Sequence, residues 1–341
     1  MFIYHFEHFT VRLCASAIIF SGCGSSTTSE VGAPNAAIAI RAQGRSTARL
    51  LLNVKALQGE LLYVTASPNG RNGSAYVYTY PQGRLVETLT GFAQPFGECA
   101  DPAGNVFIVA YSNGSMTSST IYEYAHGGTS PIATLNDPKT ALGCAVDPTT
   151  GDLAASGDGV AIFKNASGNP TMYYSSEYRF YYCGYDDRGD LYLTAVNGHY
   201  ADQQVLVRLA SGSADFEQIT LNAKLYSSNS IWPTVQWDGK HMAVTSDPYL
   251  KPISLYRLRI TGSNATVISS ASLSSPMNDY SGETWIQGTS IIGVGHAKPR
   301  HYEAAFLWPN PGGGGMPGRT IKKAGATRYP LVSGVTVSVA Q

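Results

Sequence analysis

The chain has 341 residues; 23 Lys and Arg balance 23 Asp and Glu, and charged residues make up only 13% of the whole. Without clustered basic residues it offers no footprint for a nucleic acid, and its 36 Gly and 22 Tyr beside few helix formers favour short strands joined by tight turns. A single all-β domain can use this length, burying roughly three quarters of the surface its unfolded chain exposes and needing no disulfide scaffold.

Residues 13–20, Leu-Cys-Ala-Ser-Ala-Ile-Ile-Phe, form an apolar run behind Arg12 that ends in Ser21-Gly22-Cys23. The run is shorter than the about 20 residues a membrane-spanning helix needs, so residues 1–22 read as a signal peptide. Phe20-Ser21-Gly22-Cys23 resembles a bacterial lipobox, although Phe20 replaces the usual aliphatic residue and His5, Glu7 and His8 weaken the positive charge of the leader. The resemblance implies cleavage before Cys23 and acyl chains, palmitate among them, on its thiol. Several chains would anchor the protein stably, whereas one gives only marginal membrane affinity. An ordinary cleaved signal and a misassigned start codon are the other readings. Gly24 is not the Asp that often retains lipoproteins at an inner membrane, which favours an outer membrane or cell surface. Residues 23–49 are rich in small residues and read as a flexible tether, leaving 50–341 as the folded domain.

An internal repeat organises that domain. Pro95–Val109 has a counterpart in Ala141–Ala155, recurs at Tyr182–Leu193 and Pro233–Val244, and fades at Glu283–Gly293. Each copy predicts strand, Asp/Gly turn, strand, with Gly104, Gly151, Gly189, Gly239 and Gly288 at the turn. The spacing averages about 46 residues, the length of one four-stranded propeller blade. A second hairpin follows each inner one: 75–80 with 85–89, 120–124 with 131–135, then strands opening at Val160, Gln204, Ile253 and Glu303. Six outer hairpins face only five continuous inner ones. Leu61–Val64 therefore predicts a strand completed by Pro330–Val337, which aligns with Pro95–Asp101; head and tail together close a six-bladed propeller and remove its open edges.

The pattern Pro-x-Gly-x-x-x-Asp-x-x-Gly-Asn-Val-Phe-Ile-Val at 95–109 resembles the NHL repeat and its six-bladed relatives, among them the senescence-marker-protein/gluconolactonase group. The resemblance runs weakly along 61–341 and is strongest around Asp101, Asp147 and Asp186. It implies the fold; its members bind proteins, peptides or RNA, or hydrolyse lactones with a metal, so it does not choose a function.

If the lactonase-type relatives are the guide, a divalent metal, calcium or another, would sit in the channel on oxygen ligands, for which Glu98, Asn278, Asp279 and Glu283 are the candidates. The acidic motifs of those enzymes are not recognisable around them, and a water-filled polar channel is the plainer expectation. Asp101, Asp147 and Asp186 each precede a turn glycine and are expected to brace it. Cys99, Cys144 and Cys183 fall at nearly the same place in successive copies; neighbouring inner strands diverge, so buried free thiols are expected. The aromatic segment 173–185 offers Tyr178, Arg179, Tyr181 and Tyr182 as ligand contacts, residue types enriched in binding hot spots, with inter-blade packing as the alternative. Trp232, Trp237 and Trp285 divide between core and channel mouth. Gly312–Gly315 lacks the Lys-Ser/Thr of a phosphate loop, and no Gly-x-Ser-x-Gly elbow occurs. The expectation is therefore a monomeric envelope propeller, tethered to a membrane through Cys23, that binds a protein, peptide or glycan without a resident cofactor. A metal-dependent lactonase-like hydrolase is the alternative, with a metal-bound water as its nucleophile.

Overall fold

The computed structural model describes residues 58–68, 72–112, 115–198, 204–227, 233–248, 252–274, 280–297, 302–312, 317–322 and 330–341, all within a unit spanning Arg49–Gln341. Cys23, Trp232, Asn278 and Asp279, together with the expected signal peptide and tether, lie outside the described residues.

The first strands are β1 (Leu61–Pro68), β2 (Gly73–Thr79) and β3 (Leu85–Phe92), followed by β4 (Pro95–Ala100), β5 (Val106–Ser112), β6 (Ser115–Tyr124) and β7 (Ala133–Asp137). Next come β8 (Ala141–Val146), β9 (Leu153–Gly157), β10 (Val160–Phe163) and β11 (Thr171–Tyr173), then β12 (Tyr178–Tyr185), β13 (Leu191–Asn197), β14 (Gln204–Leu209) and β15 (Phe216–Leu221). The series continues with β16 (Val235–Trp237), β17 (Met242–Ser246), β18 (Ile253–Thr261) and β19 (Asn264–Leu273). It ends with β20 (Tyr280–Gln287), β21 (Ser290–Ala297), β22 (Tyr302–Pro309), β23 (Arg319–Lys322) and β24 (Pro330–Ser338).

Sequential antiparallel pairing makes four-stranded sheets of β4 to β7, β8 to β11 and β20 to β23. The strands β12 to β15 and β19 to β16 form one eight-stranded sheet, joined only by a two-residue parallel pairing of Thr220 with Asn264 and Leu221 with Ala265. The remaining sheet has the order β24-β1-β2-β3. The C-terminal strand therefore pairs antiparallel with the first strand, Leu61 opposite Ser338 and Val64 opposite Val335, as the alignment of Pro330–Val337 predicts.

Burial follows from this arrangement. Inner strands are covered on both faces, so β9 (Leu-Ala-Ala-Ser-Gly) is buried throughout, whereas outer β3 alternates between exposed and covered positions. The core is divided among the seams between successive sheets. Leu61, Val77 and Ile108 join β1 to β3 with β5 and β6, and Phe107, Ile121, Leu153 and Phe163 carry the contact onward. Further seams hold Leu193 and Val207, then Leu206 and Val244, then Leu255 and Phe306. The last returns to the start, packing Ile292 and Leu307 against Leu62, Val335 and Val337. Packing thus runs around a ring.

The five repeat glycines all have positive φ, from 52° at Gly288 to 91° at Gly239, as the turn reading requires. Their aspartates brace the same turns. Asn105 N–H donates to Asp101 Oδ1 at 2.7 Å, Thr149 N–H to Asp147 Oδ1 at 2.8 Å, and Arg188 N–H to Asp186 Oδ1 at 2.9 Å. At the ring seam Gly334 is required by close approach: a Cβ there would lie 2.2 Å from the Phe96 carbonyl oxygen.

The cysteines correct the sequence reading. Cys99 and Cys144 are not free thiols but form a disulfide between β4 and β8, with Cα atoms 5.7 Å apart. The reason is parity. Cys99 stands two residues before its turn aspartate, whereas Cys144 and Cys183 stand three before theirs, and a one-residue offset turns a strand side chain to the opposite face. Cys99 therefore faces forward and Cys144 backward into one seam, while Cys183 occupies the next. Closing a loop of 45 residues contributes about 4 kcal/mol in the chain-entropy description. Cys183 remains a buried free thiol, as expected.

Candidate functional site

Three layers stack along the axis enclosed by the innermost strands. At the aromatic end, the ladder between β12 and β13 is interrupted between Phe180 and Cys183, which lifts Tyr181 and Tyr182 out of regular pairing. Both rings turn inward and pack with Leu142 and Val196, beside Phe96. They are only 8% and 5% exposed, so packing is their main role here. Arg179 is exposed and Tyr178 partly so. Phe96 meets Tyr111 edge-on at 4.6 Å. Burial raises the phenol pKa values of Tyr111 and Tyr181, Asp158 raises Tyr111 further, and the Arg179 guanidinium offsets both in part. Close by in sequence, the Lys139 ammonium lies 5.8 Å from the Tyr174 ring centroid.

The middle layer holds two acids, Glu98 on β4 and Glu283 on β20. The β1/β24 pairing shifts register between Thr65 and Ala66, and the Thr65 N–H turns from the ladder to donate to Glu98 Oε1 at 2.8 Å. Glu283 Oε2 accepts the Glu98 N–H at 2.9 Å and the Val335 N–H at 3.2 Å. Two carboxyl groups thus stitch together β1, β4, β20 and β24, where the ring closes. Burial disfavours their charged forms, pushing Glu98 up to about 8, with the Thr65 hydrogen bonds acting the other way. Glu283 is raised too, first by burial and then by the nearby Glu98 charge, against the pull of its two amide donors. Glu98 Oε2 is buried with no hydrogen-bond partner among the described residues. No group of three or more His, Cys, Asp or Glu side chains converges among the described residues; Asn278 and Asp279 lie outside them.

Hydroxyls clasp neighbouring units at the same level. Thr65 Oγ1 donates to the Phe96 carbonyl at 2.7 Å, Ser156 Oγ to Tyr181 at 2.8 Å, and Thr194 Oγ1 to Pro233 at 2.7 Å. Sequence reasoning missed these clasps. Their only signal is a Ser or Thr in an otherwise apolar inner strand.

Below this level, at the turn end, lies a cavity of about 270 Å³. Trp237, Trp285 and Tyr185 supply aromatic walls, Pro102, Pro148 and Val337 apolar ones, and Gln236 and Gln287 amides. No Lys, Arg or His is among the described residues that line it. Gln236 is held by both ends of its amide, accepting from Ile286 N–H at 2.7 Å and donating to the Ile286 carbonyl at 3.2 Å. The Trp285 indole Nε1 is buried without an acceptor among the described residues. Cys183 also borders this cavity, but burial pushes its thiol up to about 12, so it is no nucleophile near neutral pH. The structure thus brings together Glu98 with Glu283, and separately Tyr181 with Tyr182. It sets Trp285 apart from those tyrosines, in the turn-end cavity.

No family model and no curated protein matches the chain. Among solved structures, a protein of unknown function from Bacteroides caccae is 11% identical with a TM-score of 0.53, the match covering 82% of this chain and 99% of that one. The sheet order and the seam that returns from the last sheet to the first decide the architecture. The fold is a β-propeller. Structural neighbours also include a proposed 6-phosphogluconolactonase from Bacteroides uniformis (11% identity, TM-score 0.49, covering 78% and 82% of the two chains) and the WD40 domain of Toxoplasma gondii coronin (12%, 0.46, 77% and 68%). At these identities the likeness concerns fold alone.

Proposed function

We propose that the chain is an exported, lipid-tethered six-bladed propeller of the NHL-like kind, acting as a binding or scaffold module for a protein, peptide or glycan. One observation carries this reading: the two acids placed to begin a channel metal site accept backbone N–H groups of the strands that close the ring. Their role is thereby structural, and the cavity beneath them is walled by aromatic and apolar side chains. Such concave sites with few polar groups are the usual form of a small-ligand pocket. Arg179, Tyr178 and Tyr111 provide a mixed aromatic and cationic surface at the opposite end for a larger partner. The two-residue junction at which the eight-stranded sheet divides into two sets of four strands supports the six-bladed count.

The Cys99–Cys144 disulfide supports export, because such bonds persist in oxidising compartments and are rare in the cytosol. Lipidation of Cys23 would then hold the propeller at the cell envelope, the outer membrane or cell surface being favoured.

A metal-dependent, lactonase-like hydrolase is the second reading, favoured by the unpartnered Glu98 Oε2. Elemental analysis of the purified mature domain separates the two. The binding reading expects no stoichiometric Ca²⁺, Zn²⁺ or Mn²⁺ and a melting temperature indifferent to EDTA. One equivalent of metal whose removal lowers the melting temperature would establish the second reading, since a ligand bound only to the folded state stabilises it.

A further inference from the structure

We infer that the turn-end cavity is closed in cis by the chain's own leading segment, residues 50–54, Leu-Leu-Leu-Asn-Val, whose leucines cover Trp237 and Val339. This rests on the binding reading above and adds its regulation: an apolar ligand would enter the cavity by displacing that segment.

The chain enters the described fold beside this cavity. Ser338 Oγ donates to the carbonyl of Gly104, a repeat-turn glycine, so the pairing of Leu61 with Ser338 stands at the turn end. One residue earlier, Glu60 Oε1 accepts from Gln287 Nε2 at 2.7 Å, and Gln287 lines the cavity, as do Val337 and Val339 near the end of the chain. Residues 50–54 lie outside the described residues, and Leu52 stands eight positions before Glu60. At about 3.3–3.6 Å per residue an extended chain carries Leu52 up to about 29 Å from Glu60. That reach is ample for a cavity of about 270 Å³.

Chemistry and charge both match. Residues 50–54 are the apolar run nearest that entry, with Arg49 before them and Lys55 after. Aliphatic side chains complement the walls formed by Trp237, Tyr185, Pro102 and Pro148, since burying both removes apolar surface from water. Val339 is 42% exposed, one of the large apolar side chains left open among the described residues, and it borders this same cavity. The lining carboxyl groups among the described residues are Asp101 and Glu283, with no Lys, Arg or His. Burial favours the neutral form of Glu283, which leaves Asp101 as the anion for the flanking Arg49 or Lys55. A free ligand also competes with a segment joined covalently beside the cavity. A short connection gives an effective concentration of about 1 mM, so a segment that binds in trans at about 0.1 mM weakens a competitor about tenfold.

The test is a fluorescence titration of the whole mature chain with N-phenyl-1-naphthylamine, a neutral apolar probe that brightens on leaving water. The parent is compared with a variant carrying Leu50→Ser, Leu51→Ser and Leu52→Ser. Expected is binding about tenfold tighter in the variant, reversed by a synthetic peptide of residues 49–58. Equal binding by parent and variant, with no displacement by the peptide, would overturn the proposal. If the variant does not fold, nuclear Overhauser contacts between the leucine methyls of residues 50–52 and the Trp237 ring in the parent decide: their presence supports the closure and their absence overturns it. Probe exclusion that fades on dilution as the sedimenting mass halves would assign the segment to a second copy and overturn closure in cis. Stoichiometric metal in the same preparation would instead remove the binding reading, while the probe results would still decide the closure.

Discussion

A chain ending at Ala326 is expected to lose cooperative folding altogether. The missing segment includes β24, eight residues of which are paired with β1. Val335 and Val337 are buried in the seam that joins the last sheet to the first, beside Leu62 and Val64. Each valine contributes about 1.5–3 kcal/mol by burial, and each lost ladder hydrogen bond about 1 kcal/mol. Glu283 would also lose its Val335 amide donor, and β1 would become an open edge prone to pairing with other chains. The sum is comparable with the whole stability of a domain, about 5–15 kcal/mol. Far-ultraviolet circular dichroism through a denaturant titration checks this: the shortened chain should show no cooperative transition, and a midpoint equal to that of the intact protein would refute the closure.

Raising the pH should destabilise the protein through Glu98, and Glu98→Gln should blunt the effect. The unfolded chain releases this proton near the usual 4.5, the folded one near about 8. Below 4.5 both states hold the proton and the group does not affect stability. Between these values the folded state binds more protons than the unfolded state, so stability falls as pH rises, and it levels off above about 8. At 1.36 kcal/mol per unit the accumulated loss is about 5 kcal/mol by pH 9. Glu283, raised for the same reason, adds to the slope, and the two titrate as a coupled pair. Gln keeps an oxygen for the Thr65 amide while staying neutral, so Glu98→Gln should match the parent near pH 5 and exceed it by several kcal/mol near pH 9. It should also ease the titration of Glu283. Equilibrium urea unfolding across this range is the check, and parallel pH profiles for parent and variant would show that Glu98 is not held protonated.

The repeat was legible because its punctuation is local. An Asp-containing turn with a left-handed glycine can be read from a few residues, and Gly104, Gly151 and Gly189 each stand where that reading places them. The closing strand was legible because Pro330–Val337 copies the inner-strand pattern with no inner partner of its own. What lies between units was not. Whether Cys99 meets Cys144 depends on a one-residue offset within an irregular strand, and aligning the copies by similarity hides that offset. For Tyr181 and Tyr182 composition left ligand contact and inter-blade packing both open, because the interrupted ladder that packs them onto Leu142 and Val196 leaves no mark in the sequence. Glu98 and Glu283 were found as a pair from sequence, but as metal ligands. Their use as acceptors for Thr65 and Val335 depends on a bulge that pairing alone creates.

Hydrogen exchange at the two ends of the folded domain tests the ring most directly. Amides 331–337 should exchange at the slow rate of globally protected strands, together with 61–67 of β1, because β24 joins the sheet through its ladder with β1. Exchange of 331–337 within seconds, while 61–67 stay protected, would mean that the tail does not complete the first sheet, and the seam acids would lose the role assigned to them.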